Sequence, residues 1–177
     1  MRYDIRPCTR HDVDVLADTI RRSFRDVAER FGLTKENCPR HPSNCSEEWI
    51  QQELDRGVIY FVIQNDELVS GCVALERANS DVCYLERLGV LPDQRRRGFG
   101  KALVSHVLSE AKFLGAHQVS IGIIAEDTDL KAWYKKLGFV ETEDKEFPHL
   151  PFRVTFMARE VNRDCRQQNG SSNSTQR

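Results

Sequence analysis

Apolar residues recur at spacings of three and four through Val13, Leu16, Ile20, Phe24, Val27 and Phe31, which predicts one long amphipathic helix. Thr9-Arg10-His11-Asp12 supplies capping residues ahead of it, and Gly32 can end it. Residues 3–7 read as a strand before this helix. Residues 33–45 read as a loop containing Pro39 and Pro42, and residues 46–57 as a second helix. The pattern then becomes extended. Two apolar runs, residues 58–63 and 68–75, flank the turn dipeptide Asn65-Asp66, as a hairpin requires. Asn79-Ser80-Asp81 turns the chain into the next strand, residues 84–91, which stops at Pro92-Asp93. A helix beginning near Gly98 places Leu103, Val107, Ala111 and Leu114 on one face and closes at Gly115. Val119, Ile121 and Ile123 alternate as a strand. Asp127 or Asp129 can cap a short helix running to Leu137-Gly138, and residues 139–143 and 152–158 read as two last strands. The predicted order is β-α-α-β-β-β-α-β-α-β-β, an α/β fold.

Composition narrows the picture. A chain of 177 residues with 40% hydrophobic and 30% charged residues suits one globular domain, expected over residues 1–161. Residues 162–177 are polar around Asn-Gly-Ser-Ser-Asn-Ser-Thr and are expected to be a disordered tail. A net charge of −1 gives no electrostatic reason to expect nucleic acid as a partner. The apolar runs are far short of a membrane span, and the N-terminus lacks a signal-peptide core, so a cytoplasmic location is the default. Six cysteines are too few for a dense disulfide framework, and reduced thiols are expected. Cys38, His41 and Cys45 offer three soft ligands within eight residues, but no fourth Cys or His stands nearby, so no metal is expected. Cys72 and Cys83 lie in apolar strands as small core residues. A homodimer stays open.

The chemistry concentrates at Arg95-Arg96-Arg97-Gly98-Phe99-Gly100, between a strand and a helix. Backbone N–H groups at such a turn, together with the helix dipole, favour an anion. Gly98 and Gly100 let a phosphate approach the backbone, and Arg95, Arg96, Arg97 and Lys101 add positive charge. The spacing fits neither the nucleoside-triphosphate loop, because Lys101 is followed by Ala102, nor the dinucleotide fingerprint, because Leu103 stands where a glycine is needed.

Arg-x-x-Gly-x-Gly after a strand ending in Val-x-Pro resembles motif A of the GCN5-related N-acetyltransferases, the GNAT family. A second segment, Leu130-Lys131-Ala132-Trp133-Tyr134-Lys135-Lys136-Leu137-Gly138-Phe139, resembles that family's Tyr-x-x-x-Gly-Phe. The resemblance spans roughly residues 3–160. It implies a mixed central sheet splayed between its fourth and fifth strands, with flanking helices and the pantetheine arm of acetyl-CoA in the gap. It implies acetyl-CoA as co-substrate, with its pyrophosphate at Gly98, Phe99 and Gly100. It further implies that backbone groups at Leu88, Gly89 and Val90 hold the thioester, and that the Tyr134 hydroxyl points at the coenzyme sulfur as general acid. Asp127 stands where many members carry a coenzyme-contacting asparagine; aspartate lacks the amide donor, and capping the next helix is the alternative.

Glu86, a carboxylate within an otherwise apolar strand beside the expected splay, is the candidate base, acting through a water. Strand alternation turns Glu86 and Arg87 to opposite faces. The loops expected over the acceptor pocket carry His41 and His149, each beside prolines, as substrate contacts or a second base. These residues together predict direct acetyl transfer, in a ternary complex, to a primary amine of a small molecule. The alternative is an acyl-CoA-binding regulatory module without turnover.

Overall fold

The computed structural model describes residues 2–161; the tail expected at 162–177 lies outside them. The elements run β1 (Asp4–Pro7), α1 (Val13–Phe31), α2 (Glu47–Asp55), β2 (Ile59–Asn65), β3 (Leu68–Arg77), β4 (Val82–Val90), α3 (Phe99–Phe113), β5 (Gln118–Ile124), α4 (Thr128–Lys136), β6 (Val140–Glu146) and β7 (Arg153–Glu160). Short 3-10 turns stand at Arg10–Asp12, Pro42–Asn44 and Pro92–Gln94. The order of strands and helices is the one the periodicity predicts.

Among the described residues the strands form one seven-stranded sheet in the order β1-β2-β3-β4-β5-β7-β6. Neighbours are antiparallel except β4 and β5, which run parallel. A parallel pair needs a crossover, and α3 supplies it. Alternation along the strands decides which side each residue serves. Tyr60, Val62, Cys72 and Ala74 pack against Leu16, Ile20, Trp49 and Ile50 of α1 and α2. Phe61, Ile63, Val73, Leu75, Cys83 and Leu85 pack against Leu103, Val104 and Val107 of α3 on the other side. With both faces covered, the central strands are apolar on both sides, so they read as near-continuous apolar runs rather than as alternating ones.

Thr9 and Asp12 form a capping box ahead of α1. Asp12 also takes Arg6 at 2.7 Å, which ties the start of the helix to β1.

Several boundaries differ from the sequence reading, β4 running 82–90 rather than 84–91 among them, and two of the differences have a local cause. The hairpin between β2 and β3 turns at Asp66 and Glu67, with φ of 50° and 66°, one residue later than Asn65-Asp66. A register shift between Ile63 and Gln64 moves the turn along. Positive φ at both positions matches the strand twist, although Glu67 is not a favoured residue there. β6 continues to Glu146, beyond residue 143. Every residue of this edge strand is exposed, so it carries no apolar alternation to read. No helix among the described residues is long and apolar enough to cross a membrane.

Candidate active site

β4 and β5 begin side by side and then part. Their pairing is Val82 with Gln118, Cys83 with Val119 and Tyr84 with Ser120, although β4 continues to Val90 and β5 to Ile124. Beyond Tyr84 the edge of β4 facing β5 keeps backbone groups without a strand partner, and such groups seek a ligand or water. The gap widens into a cleft of about 560 Å³. Its walls are Leu85, Glu86, Arg87 and Leu88 on one side and Ile121, Gly122 and Ile123 on the other. Phe24, Val27, His41, Pro42, Asp127, Leu130 and Tyr134 line it as well.

The glycine turn lies at the end of β4. Gly98 is the N-cap of α3 at φ 83°, a left-handed conformation that glycine adopts without strain, and no side chain caps the helix. The first intrahelical bond is from Ala102 N to Gly98 O at 3.0 Å, so the N–H groups of Phe99, Gly100 and Lys101 have no helical acceptor. This is an anion-accepting end. The side chains divide their work. Phe99 is buried in the core, so only its backbone serves the turn. Arg96 (φ 62°) and Arg97 are exposed. Arg95 differs from the other two. Its guanidinium pairs with Asp26 at 2.6 Å and donates to Ser23 O at 3.0 Å, bracing the turn against α1 rather than facing outward. Gly89 lets α1 approach β4: a Cβ there would meet Ser23 Cβ at 2.8 Å. Of Leu88, Gly89 and Val90, Leu88 lines the cleft, while Gly89 and Val90 lead on to the turn.

Tyr134 and Glu86 line this one cleft. Tyr134 is 4% exposed and stacks edge-on against Trp133 and Phe139, so its ring is also core. Burial pushes its phenol pKa up, and the hydroxyl stays protonated at neutral pH. Glu86 is half-buried. Burial raises its carboxyl pKa, Arg87 and Arg56 oppose the rise, and Glu76 and Glu53 add to it.

Arg87 does not follow simple alternation. Cys72 pairs with Gly89 and Ala74 with Glu86, so Arg87 and Leu88 together face Val73 in a β-bulge, and Arg87 takes φ 51°. The bulge swings Arg87 to the α2 side, the side on which Glu86 stands opposite Ala74. There the guanidinium donates to both Glu53 carboxylate oxygens at 2.8 Å and to the Tyr60 hydroxyl at 3.1 Å. Tyr60 in turn donates to Glu53. Trp49 Nε1 donates to Glu53 at 2.8 Å, and the Trp49 ring lies under the Arg87 guanidinium. The sequence reading missed this cluster. Its signal was an acid, Glu53, on the apolar Trp49–Ile50 face of α2, and a cation within an apolar strand.

The remaining candidates separate. His41 is buried and is the N-cap of the Pro42–Asn44 turn, its Nδ1 accepting the Ser43 N–H. That leaves the ring proton on Nε2. Burial lowers its pKa to about 4, so the ring is neutral at pH 7. His149 is exposed in the β6–β7 connection against Phe147 and does not line the cleft. Asp127 caps α4 by accepting the Leu130 N–H at 3.2 Å and pairs with Arg30 at 2.5 Å. Cys38 packs with Ala28 and Leu33, whereas Cys45 belongs to the α1–α2 core. Among the described residues no three His, Cys, Asp or Glu side chains gather as a metal site.

A sheet opened between parallel neighbours, with an uncapped helix end beside the opening, defines an α/β protein with a free strand edge in its cleft. The model of the acetyltransferase (GNAT) family matches residues 21–139, and the chain belongs to that family. The uncharacterized N-acetyltransferase YvbK of Bacillus subtilis is 29% identical over 103 residues, 58% of this chain and 66% of that protein. The amino-acid acetyltransferase of Neisseria meningitidis is 24% identical over 104 residues, 58% of this chain and 22% of that protein. The chain thus spans less than two thirds of the length of either relative. The crystal structure of PaiA N-acetyltransferase from Thermoplasma acidophilum, in complex with coenzyme A, shares the fold. Its TM-score is 0.75 at 19% identity, covering 90% of this chain and 99% of that one.

Proposed function

We propose that the protein is an acetyl-CoA-dependent N-acetyltransferase that moves the acetyl group directly to a primary amine of a small molecule in a ternary complex. One observation carries this reading: a protonated, buried phenol and a half-buried carboxylate line the same cleft, beside a strand edge without a partner. Membership of the GNAT family and the coenzyme A in PaiA N-acetyltransferase support acetyl-CoA as the donor.

In this reading the first-turn N–H groups of α3 hold the pyrophosphate, with Arg96, Arg97 and Lys101 adding charge. The free edge of β4 holds the pantetheine amides, and backbone N–H groups near Leu88 stabilise the oxyanion. Glu86, through a water, takes one proton from the substrate ammonium. The amine lone pair attacks the thioester carbonyl carbon, a carbon–nitrogen bond forms, and the carbon–sulfur bond breaks. Tyr134 protonates the departing thiolate and is reprotonated by the second amine proton. The products are an amide, free thiol and one released proton. The raised pKa of Glu86 suits a base, and a phenol of pKa ~10 or above suits an acid toward a thiolate.

Calorimetry with acetyl-CoA and an assay of thiol release across a panel of amines test this reading. One-to-one binding with amine-dependent thiol release is the expected result. Binding without any amine-dependent release would instead make the chain an acyl-CoA-binding module.

A further inference from the structure

Charge around the cleft is unevenly matched. Arg87 is neutralised by Glu53 at 2.8 Å. Asp127 is paired with Arg30 at 2.5 Å and also caps α4. His41 is a neutral donor, since its Nδ1 accepts from the backbone of Ser43. Glu86 alone of these lining groups makes no ion pair or hydrogen bond among the described residues, and it is half-buried. Away from the β4 and β5 walls the lining besides His41, Asp127 and Tyr134 is apolar, including Phe24, Val27, Phe152 and Phe156. The cleft therefore offers one uncompensated negative charge inside an apolar surround.

The acceptor must match this. One ammonium satisfies Glu86, and an apolar body satisfies the rest. A second charge of either sign would be stripped of water with nothing to meet it. A carboxylate next to the amine would face Glu86 without a free cation. A second ammonium would find only carboxylates already paired. A sugar amine would bring several hydroxyls to a lining with few polar side chains to meet them.

We propose that the acceptor is a monocationic primary amine on an uncharged apolar body, aliphatic or aromatic, and that amino acids, polyamines and aminoglycosides are rejected. This deepens, and rests on, the reading of the cleft as an acetyl-transfer site. It also separates this chain from what the name of the Neisseria relative implies for that protein.

Matched pairs isolate the single feature that matters. Phenethylamine and phenylalanine differ by one carboxylate; hexylamine and 1,6-diaminohexane differ by one ammonium. Each, together with an alanyl peptide amide, is assayed for thiol release and, by calorimetry, for binding to the coenzyme A-loaded protein. Both monoamines are expected to exceed their charged partners by about 10²-fold or more in kcat/KM. Val27→Lys, which supplies the missing cation, is expected to narrow the gap between phenylalanine and phenethylamine. Equal or better turnover of phenylalanine or the diamine, or turnover of the peptide alone, would overturn the acceptor class while leaving acetyl transfer standing. The same preference in binding, with no thiol release from any acceptor, would keep the class and overturn acetyl transfer. If neither monoamine binds or reacts, the class itself is wrong.

Discussion

The Arg87 guanidinium donates to both oxygens of the Glu53 carboxylate at 2.8 Å, and this pair holds the β4 bulge in place. Arg87 sits at φ 51°, a conformation that costs a non-glycine residue roughly 1–3 kcal/mol and persists only where the surroundings over-determine it. Glu53, Tyr60 and Trp49 provide that constraint from α2 and β2. Because Glu86 precedes the bulge and Leu88 follows it, the pair also fixes how both enter the cleft.

Removing one partner of a buried pair leaves the other charge uncompensated. Glu53→Gln is expected to lower the unfolding free energy by about 3 kcal/mol, measured by urea denaturation. It is also expected to change the pH profile. The charged groups acting on Glu86 are Arg87, Glu76, Glu53 and Arg56. Without Glu53 the Arg87 charge opposes burial more strongly, so the acid limb of kcat/KM should move to lower pH. An unmoved limb would assign that limb to a group other than Glu86.

The α3 N-terminus gives a charge test that backbone strain alone cannot mimic. A Cβ at Gly98 would meet no atom within 4 Å, but φ is 83°. Asparagine tolerates this conformation better than most residues. Gly98→Asn is therefore expected to keep most acetyl-CoA affinity, and Gly98→Asp to lose more than about tenfold through repulsion at the anion site. Equal affinities in calorimetry would place the pyrophosphate elsewhere.

His41, which lines the cleft, links it to stability. Burial lowers its folded pKa from 6.5 to about 4. Between these values the unfolded chain binds a proton that the native state does not, so stability rises with pH across this window. The contribution is present above about 6.5 and is lost as pH falls toward about 4. His41→Gln should show a shallower loss of stability over this range. An identical slope in thermal denaturation would mean that His41 does not titrate there.

The fold was legible because most elements carry a local signal: spacings of three and four mark α1, an apolar run marks β2, and alternation marks β5. The Arg-x-x-Gly-x-Gly turn, Tyr134 and Glu86 stood in local patterns that pointed to their setting. The role of Arg95 was not legible, because its partner Asp26 is 69 residues away on α1. The Arg87 bulge was hidden as well, since regular alternation turns Glu86 and Arg87 apart and only long-range pairing with Glu53 shows otherwise. His149 and His41 looked equivalent beside their prolines. Burial, which depends on how the connections fold over the sheet, separates them.

The most direct test is the single-turnover rate of acetyl transfer in Tyr134→Phe. The ring packs against Trp133 and Phe139, and phenylalanine keeps that packing. Acetyl-CoA affinity and stability should therefore stay close to parental. In the proposed mechanism the hydroxyl matters only as the carbon–sulfur bond breaks, so the rate should fall by roughly 10²–10⁴, the range for a lost general acid. A parental single-turnover rate would contradict a chemical role for Tyr134 and leave its ring as core packing alone.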